Sequence, residues 1–352
     1  MKSIFKILVM FFGISCFSQE LIFENLFDSS LNSEIACYRI PAILTSTNGT
    51  LIAAIDERNN SCGDLKWNRN INIVIRKSYD DGKTWSEIEK IIDYPDGESA
   101  SDPSMILDQQ TGHIFLFYNY MNLDLARDIY RLMVIKSSDN GKNWSVPKDI
   151  TSQITKKDWN KDFMFITSGR GTQTKDGTLL HCLVNLNKGT HVFGSNDNGE
   201  NWFLFNHPLK PGDESKIVEL SNGDWLVNSR VNSNEFRYSH ISKNKGKSWF
   251  SFENKDLLDP ACNASLINYN TNSKSLLLFS NAFSSKERNN LSISISYDQG
   301  ISWKNTKTIY KGKSAYSSMT LLKNGDIGLF FEKDDYTKNV FVRVPKKWIL
   351  YN

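Results

Sequence analysis

The chain has 352 residues, 39% of them hydrophobic and 23% charged, and a net charge of +3. Its basic residues are spread rather than gathered in a block, so composition gives no reason to propose a nucleic-acid partner. The length allows two domains, or one long all-β unit. The first residues read as a secretory signal, 1–18: Lys2 and Lys6 supply a positive end, and Ile7 to Ile14 form an apolar stretch too short to span a bilayer. Cys16-Phe17-Ser18 offers small residues for cleavage, placing the mature start near Gln19. The expected location is therefore periplasmic, secreted or cell-surface. A lipoprotein signal using Cys16 fits less well, because Gly13 stands where such signals usually carry Leu. No later apolar run is long enough for a membrane helix.

Residues 20–35 read as a lead-in strand or linker. Next comes Tyr38-Arg39-Ile40-Pro41, where an Arg opens an apolar strand. Such an Arg is costly unless it is paired or faces a cavity. Leu51–Ile55 reads as a strand ending in Asp56-Glu57-Arg58, with Glu57 expected to face solvent or pair with an Arg. A polar loop, Asn59 to Asn70, follows and holds Asp64 and Trp67.

Then a short pattern begins to recur. Ser78–Trp85 reads S-Y-D-D-G-K-T-W, and related copies start at Ser137, Ser195, Ser242 and Ser296. Starts are about 47 to 59 residues apart, the period of a solenoid, propeller or array. The copy at Ser242 is altered, with Asn244 in place of Asp. Asp and Gly at alternate positions make a tight turn, with the carboxylate on backbone N–H groups and Gly at φ > 0. The Trp is expected to plug beneath it. Apolar alternation such as Ile71, Ile73 and Ile75 leads into each turn, so each copy reads as one hairpin of a small antiparallel sheet. These Asp residues are read as turn formers, remote from any chemistry.

Cys37, Cys62, Cys182 and Cys262 remain after the signal, and two readings stay open: a Cys37–Cys62 bridge, or four free thiols. The Cys spacing shows no metal pattern and the His residues are scattered. No metal site or cofactor is expected. Asp102-Pro103 reads as a turn and a candidate neighbour of a site.

Tyr38–Pro41, then Asp56–Arg58, a loop Asp and repeated Asp boxes together resemble the exo-α-sialidases (neuraminidases), particularly the secreted bacterial ones. The resemblance covers about residues 25 to 350. It implies an all-β fold, a six-bladed β-propeller with Asp-box repeats, forming a single catalytic domain over 19–352. Five boxes suit six blades, because one blade closes the ring with strands from both termini. The implied activity is hydrolysis of terminal α-linked sialic acid from glycans, by an expected monomer without a membrane span.

Residue by residue, the resemblance implies a carboxylate-binding triad of Arg39, Arg230 and Arg288. It places Arg58 beside them, near other substrate oxygens, with Asp56 as a structural or substrate-facing neighbour. It implies Tyr316, in Ala315-Tyr316-Ser317-Ser318, as nucleophile. Glu214, in Glu214-Ser215-Lys216-Ile217-Val218-Glu219-Leu220, is its partner, and Glu219 is secondary. Asp64 is the implied acid/base, and Glu332 the acid that orients Arg39. Arg170, in a Gly-rich segment, stands where relatives have a strand entrance near the pocket.

Elementary chemistry agrees with these assignments. Sialic acid carries a carboxylate on its anomeric carbon, and planar guanidinium groups grip carboxylates in pairs of bonds. That carboxylate repels an Asp or Glu nucleophile, which a neutral Tyr avoids; sialidases are exceptions to the two-carboxylate rule on this point. A phenol with a pKa near 10 is a poor nucleophile alone, so a base must take its proton. Four alternatives share the pattern: a trans-sialidase, an enzyme releasing an anhydro sugar, a relative acting on another nonulosonic acid, and an inactive glycan-binding propeller.

Overall fold

The computed structural model describes residues 20–271 and 274–350. The signal segment expected over 1–18 lies outside the described residues. The described chain is built from β-strands with a few short helical turns, the longest being Lys346–Leu350. Among the described residues, no helix is long and apolar enough to cross a membrane.

The strands form consecutive antiparallel sheets. The first sheet holds Cys37–Thr45, Leu51–Arg58, Ile71–Ser78 and Glu89–Ile92, in sequence order. The second holds Glu98–Leu107, Ile114–Asn122, Arg131–Ser137 and Lys148–Asp149, with Gly169–Arg170 added in parallel to its first strand. The third is built on Met164–Ile166, Leu179–Asn185, Gly189–Ser195 and Phe203–Leu204. The fourth holds Ser215–Glu219, Trp225–Ser229, Phe236–Ser242 and Phe250–Leu258.

The last sheet is larger. Ser265–Asn270, Ser275–Ala282 and Asn289–Ser296 lead into the 18-residue strand Lys304–Leu321. The first part of that strand pairs with Asn289–Ser296, and its last part, Ser314–Leu321, pairs with Ile327–Lys333. Lys338–Val344 follows, and Phe23–Asp28 is hydrogen-bonded outside it. The lead-in segment is therefore a strand paired to the chain's C-terminal part.

The repeated motif sits where each sheet's third strand turns into its fourth. In the first copy, Asp80 Oδ1 accepts from the Lys83 and Thr84 N–H groups at 3.1 and 2.9 Å, and Ser78 Oγ accepts from Gly82 N at 2.9 Å. Two consecutive residues turn left-handed, Asp81 (φ 60°) and Gly82 (φ 84°). Gly82 is required twice over, because a Cβ there would lie 2.2 Å from the Phe341 ring. Phe341 belongs to Lys338–Val344, so the first box leans on the last strands of the chain. The same relation repeats onward: Gly141 abuts Ile52, Gly199 abuts Phe115, and Gly300 abuts Leu226, each in the preceding sheet. Apolar layers between neighbouring sheets fill the rest, for example Phe115, Phe117, Phe193 and Trp202 between the second and third.

Cys37 and Cys62 form a disulfide with Cα atoms 5.7 Å apart, while Cys182 and Cys262 are buried free thiols. This settles the two readings left open by the sequence as one bridge and two thiols. Glu57 departs from expectation. It is 6% exposed and its partner is Lys90 at 3.0 Å, because it points between strands toward Lys90 rather than outward.

Candidate active site

Cys37–Thr45, Glu98–Leu107 and Lys304–Leu321, strands of three different sheets, each break register. The breaks fall between Arg39 and Ala42, Ser101 and Ser104, and Ser314 and Ser317. Two of them contain an X-Pro step preceded by a left-handed residue, Ile40 (φ 68°) and Asp102 (φ 65°). A β-branched residue at positive φ is strained, and such strain gathers at functional sites. Bulges re-aim side chains, and these breaks lie beside the arginines, Asp102 and Tyr316.

Tyr316 stands at the centre. Its Oη donates to Glu214 Oε2 at 2.8 Å, and Arg230 Nη1 lies 3.3 Å from the same oxygen. Arg230 Nη1 also donates to Glu214 Oε2 at 2.6 Å. The Arg39 and Arg288 guanidinium carbons each lie 5.5 Å from the Tyr316 ring centre. Three arginines from separate strands and loops thus surround one phenol. Burial, then the neighbouring Glu214 carboxylate, push the phenol well above its usual pKa.

Glu332 fixes the arrangement from behind. It is 1% exposed and accepts from Arg39 Nε at 3.0 Å, from Ile40 N at 2.9 Å and from Tyr316 N at 3.0 Å. One carboxylate therefore sets an arginine and two backbone positions at once. Tyr336 adds a support that sequence reasoning missed. Its ring lies 4.1 Å under the Arg39 guanidinium, and its Oη accepts from Arg288 Nη1 at 3.3 Å. No motif marks it; the only cue is the turn that follows Glu332.

Asp64 lies at the cleft mouth with a side chain 74% exposed. It accepts from Arg58 Nη1 at 2.8 Å and is 3.8 Å from Arg39 Nη1. Partial withdrawal from water raises its pKa, but Arg58 outweighs this, with Arg39 and Arg288 behind it, and holds the carboxyl below the usual range. The Cys37–Cys62 bridge ties the Asp64 loop to the strand that carries Arg39. Beside these groups opens a cleft of about 260 Å³, walled by Asp64, Trp67, Tyr130, Phe163, Phe165 and Tyr316 among others.

The chain matches the BNR repeat-like domain over residues 49–329. It belongs to that family. The BNR-repeat protein is 29% identical over 331 residues to a sialidase of Bacteroides fragilis (strain YCH46), covering 84% of this chain and 60% of that relative. It is 31% identical over 329 residues to a sialidase of Micromonospora viridifaciens, covering 84% and 50%. It therefore spans half to three-fifths of the length of these curated relatives. Among solved structures it resembles the Hadza microbial sialidase Hz136, with a TM-score of 0.83 at 27% identity, over 91% of this chain and 68% of that one.

Two residues expected near substrate sit deeper in the BNR-repeat protein than the sequence conveys. The Arg58 side chain is 1% exposed and bonds Asp56 Oδ2 at 2.9 Å, the Cys62 carbonyl at 2.8 Å and Asp64. Asp56 is 0% exposed and also accepts from Ser101 Oγ at 2.6 Å and Asp102 N at 2.9 Å. Both lie beneath the cleft, bonded to Asp64 and Asp102. Burial drives both Asp56 and Asp102 upward in pKa, and the Asp56 charge adds to the rise at Asp102. Asp102 lines the cleft.

Arg170 is not part of this cleft. It bonds the Met319 carbonyl at 3.0 Å, on the far side of the inner strands, because Gly169–Arg170 runs parallel beside Ser104 and Met105, away from Asp102. Glu219 likewise lies at the far end of its strand, where its carboxylate accepts from Lys175 N at 2.7 Å.

Proposed function

We propose that this protein is an exo-α-sialidase. It removes terminal α-ketosidically linked sialic acids from glycoproteins, glycolipids or oligosaccharides, with retention, through a covalent sialyl-tyrosine intermediate. The observation that carries this reading is the Tyr316–Glu214 contact of 2.8 Å inside a ring of three guanidinium groups. The similarity to curated sialidases across 84% of the chain supports the same conclusion.

The proposed architecture is one catalytic domain over 19–352, a six-bladed propeller. The large last sheet counts as two four-stranded blades that share Lys304–Leu321, and Phe23–Asp28 closes the final one. The lean of each box on the preceding sheet, with the first box on Phe341, supports ring closure. Export by the N-terminal segment agrees with the Cys37–Cys62 bridge, since disulfides persist in oxidising compartments.

In the proposed reaction, Arg39, Arg230 and Arg288 hold the substrate carboxylate. Glu214 accepts the proton of Tyr316 as the phenol oxygen attacks the anomeric carbon. The phenol resists ionising in the free protein, so nucleophile and base act together rather than in sequence. Asp64 donates a proton to the leaving oxygen and then activates water to cleave the sialyl-tyrosine. In the free protein Arg58 and Arg39 favour the ionised form of Asp64. A bound carboxylate on Arg39 weakens that influence and closes the mouth to water, and both changes raise the affinity of Asp64 for a proton. Tyr130, Phe163 and Phe165 give the cleft an apolar wall for the sugar's acyl side.

Sialyllactose followed by proton NMR tests the reading. The expected first product is the α-anomer of free sialic acid. First appearance of the β-anomer, or of an anhydro sugar, would replace hydrolysis with retention by another outcome.

A further inference from the structure

Four chain segments run from the cleft to a second cavity: Ile40 to Thr45, Asp102 to Leu107, Glu214 to Val218 and Tyr316 to Thr320. Tyr316 and Thr320 share one strand four residues apart, roughly 13 Å at strand rise. The second cavity, at this far mouth, is of about 210 Å³ and shares Gln109, Gln173 and Asn268 as lining with an outer one of about 610 Å³. Its floor holds Arg170.

Arg170 is partly buried and, like Arg76 and Arg288, meets no carboxylate among the described residues. Arg39, Arg58, Arg230 and Arg237 each meet a carboxylate. Arg170 bonds only two backbone carbonyls, Met319 at 3.0 Å and Gly171 at 3.5 Å, among the described residues. Burial lowers its pKa to about 10, and no neighbouring charge opposes that shift. A cation withdrawn from water without a counter-charge is costly, and an anion offsets the cost. Beside aliphatic side chains such as Leu44, Val218 and Ile267, the polar lining is hydroxyl and amide: Thr45 and Thr320, with Thr45 N and Oγ1 both on Thr320 Oγ1, then Gln109, Gln173 and Asn268. The nearby acids are already engaged. Glu219 accepts from Lys175 N, and Asp108 accepts from Gln173 Nε2 at 2.7 Å. Lys175, also at the outer mouth, bonds the Ser221 carbonyl and adds positive charge there.

We infer that this far mouth is a second ligand site, which binds the oxyanion of a small hydroxylated molecule through the Arg170 guanidinium. A carboxylate or a phosphate satisfies the open side of the guanidinium, and the Gln109 side-chain amide and Asn268 Oδ1 suit hydroxyl groups. The site is separate from the proposed catalytic cleft and does not depend on its activity.

Calorimetric titration tests it with two probes, free N-acetylneuraminate and inorganic phosphate. Each is titrated into the full protein and into an Arg230→Ala, Arg288→Ala form with a weakened cleft. The expected result is a saturable site in both forms, weakened about tenfold or more by Arg170→Met. Turnover of an aryl sialoside should stay unchanged on that substitution, which also reports folding; Arg170→Gln substitutes if the Met form does not fold. Binding of the sugar acid alone defines a sugar-carboxylate site, and binding of phosphate as well defines a general oxyanion site. Absence of a saturable site in the weakened-cleft form, or binding indifferent to both Arg170 substitutions, would overturn the inference.

Discussion

Tyr316 Oη and Glu214 Oε2 lie 2.8 Å apart although 102 residues separate them in the chain. The same Glu214 oxygen accepts from Arg230, so the base is held by one of the arginines proposed to bind substrate. Glu214→Gln keeps the shape but removes the proton acceptor. It should lower kcat about 10²- to 10⁴-fold with a smaller change in KM, read from steady-state kinetics. A mainly KM effect would assign Glu214 to substrate binding.

Asp64→Asn should separate substrates by leaving group. A natural glycan needs its leaving oxygen protonated, whereas an activated aryl leaving group does not. The loss should reach about 10²-fold or more on sialyllactose and be much smaller for the first step on the aryl sialoside. Equal losses on both would assign Asp64 to another task.

Glu332→Ala leaves Arg39, the Ile40 N–H and the Tyr316 N–H without their shared acceptor. Removing one partner of a buried ion pair costs about 3–5 kcal/mol, so chemical denaturation should show a loss of that size. Glu332→Gln should recover part of the stability while KM stays raised, because Arg39 loses its charge partner.

Much of this was legible in the sequence, and the residues show why. The boxes are local: Asp80, Gly82 and Trp85 announce a turn within eight positions. Tyr316, Glu214 and Glu332 were reached only through the family resemblance, since nothing local ties residues so far apart. The depth of Arg58 and Asp56 was not legible, because strand alternation does not say which polar residue lies under a bulge. Tyr336 and the left-handed Ile40 and Asp102 depend on tertiary contacts that leave no spacing signal.

Asp102 gives a pH prediction. Its folded pKa is raised from 3.8 to about 8, by burial and then by the Asp56 charge. Between those values the folded state holds more protons than the unfolded state, so stability falls as pH rises through that window. Asp56 shifts in the same direction. Asp102→Asn should therefore flatten, without abolishing, the decline in urea stability between mildly acid and mildly alkaline pH. A slope identical to that of the unchanged protein would contradict the assignment.

The disulfide gives another. Cys37 and Cys62, 25 residues apart in sequence, close a loop that corresponds to about 3.5 kcal/mol of stabilisation. It also holds the Asp64 loop. A Cys37→Ala, Cys62→Ala protein should lose stability of that order in denaturant, and should lose kcat on sialyllactose more than on an aryl sialoside. Unchanged kcat on both substrates would leave the bridge a purely structural role.

The most direct test of the central claim is release of the fluorophore from a fluorogenic α-ketoside of N-acetylneuraminic acid, by the mature chain and by its Tyr316→Phe form. The account predicts robust release by the unaltered protein and a fall of about a thousandfold or more in the variant, with sialoside binding retained. Release that survives Tyr316→Phe would contradict the proposed nucleophile, and no release by the unaltered, folded protein would contradict the sialidase reading itself.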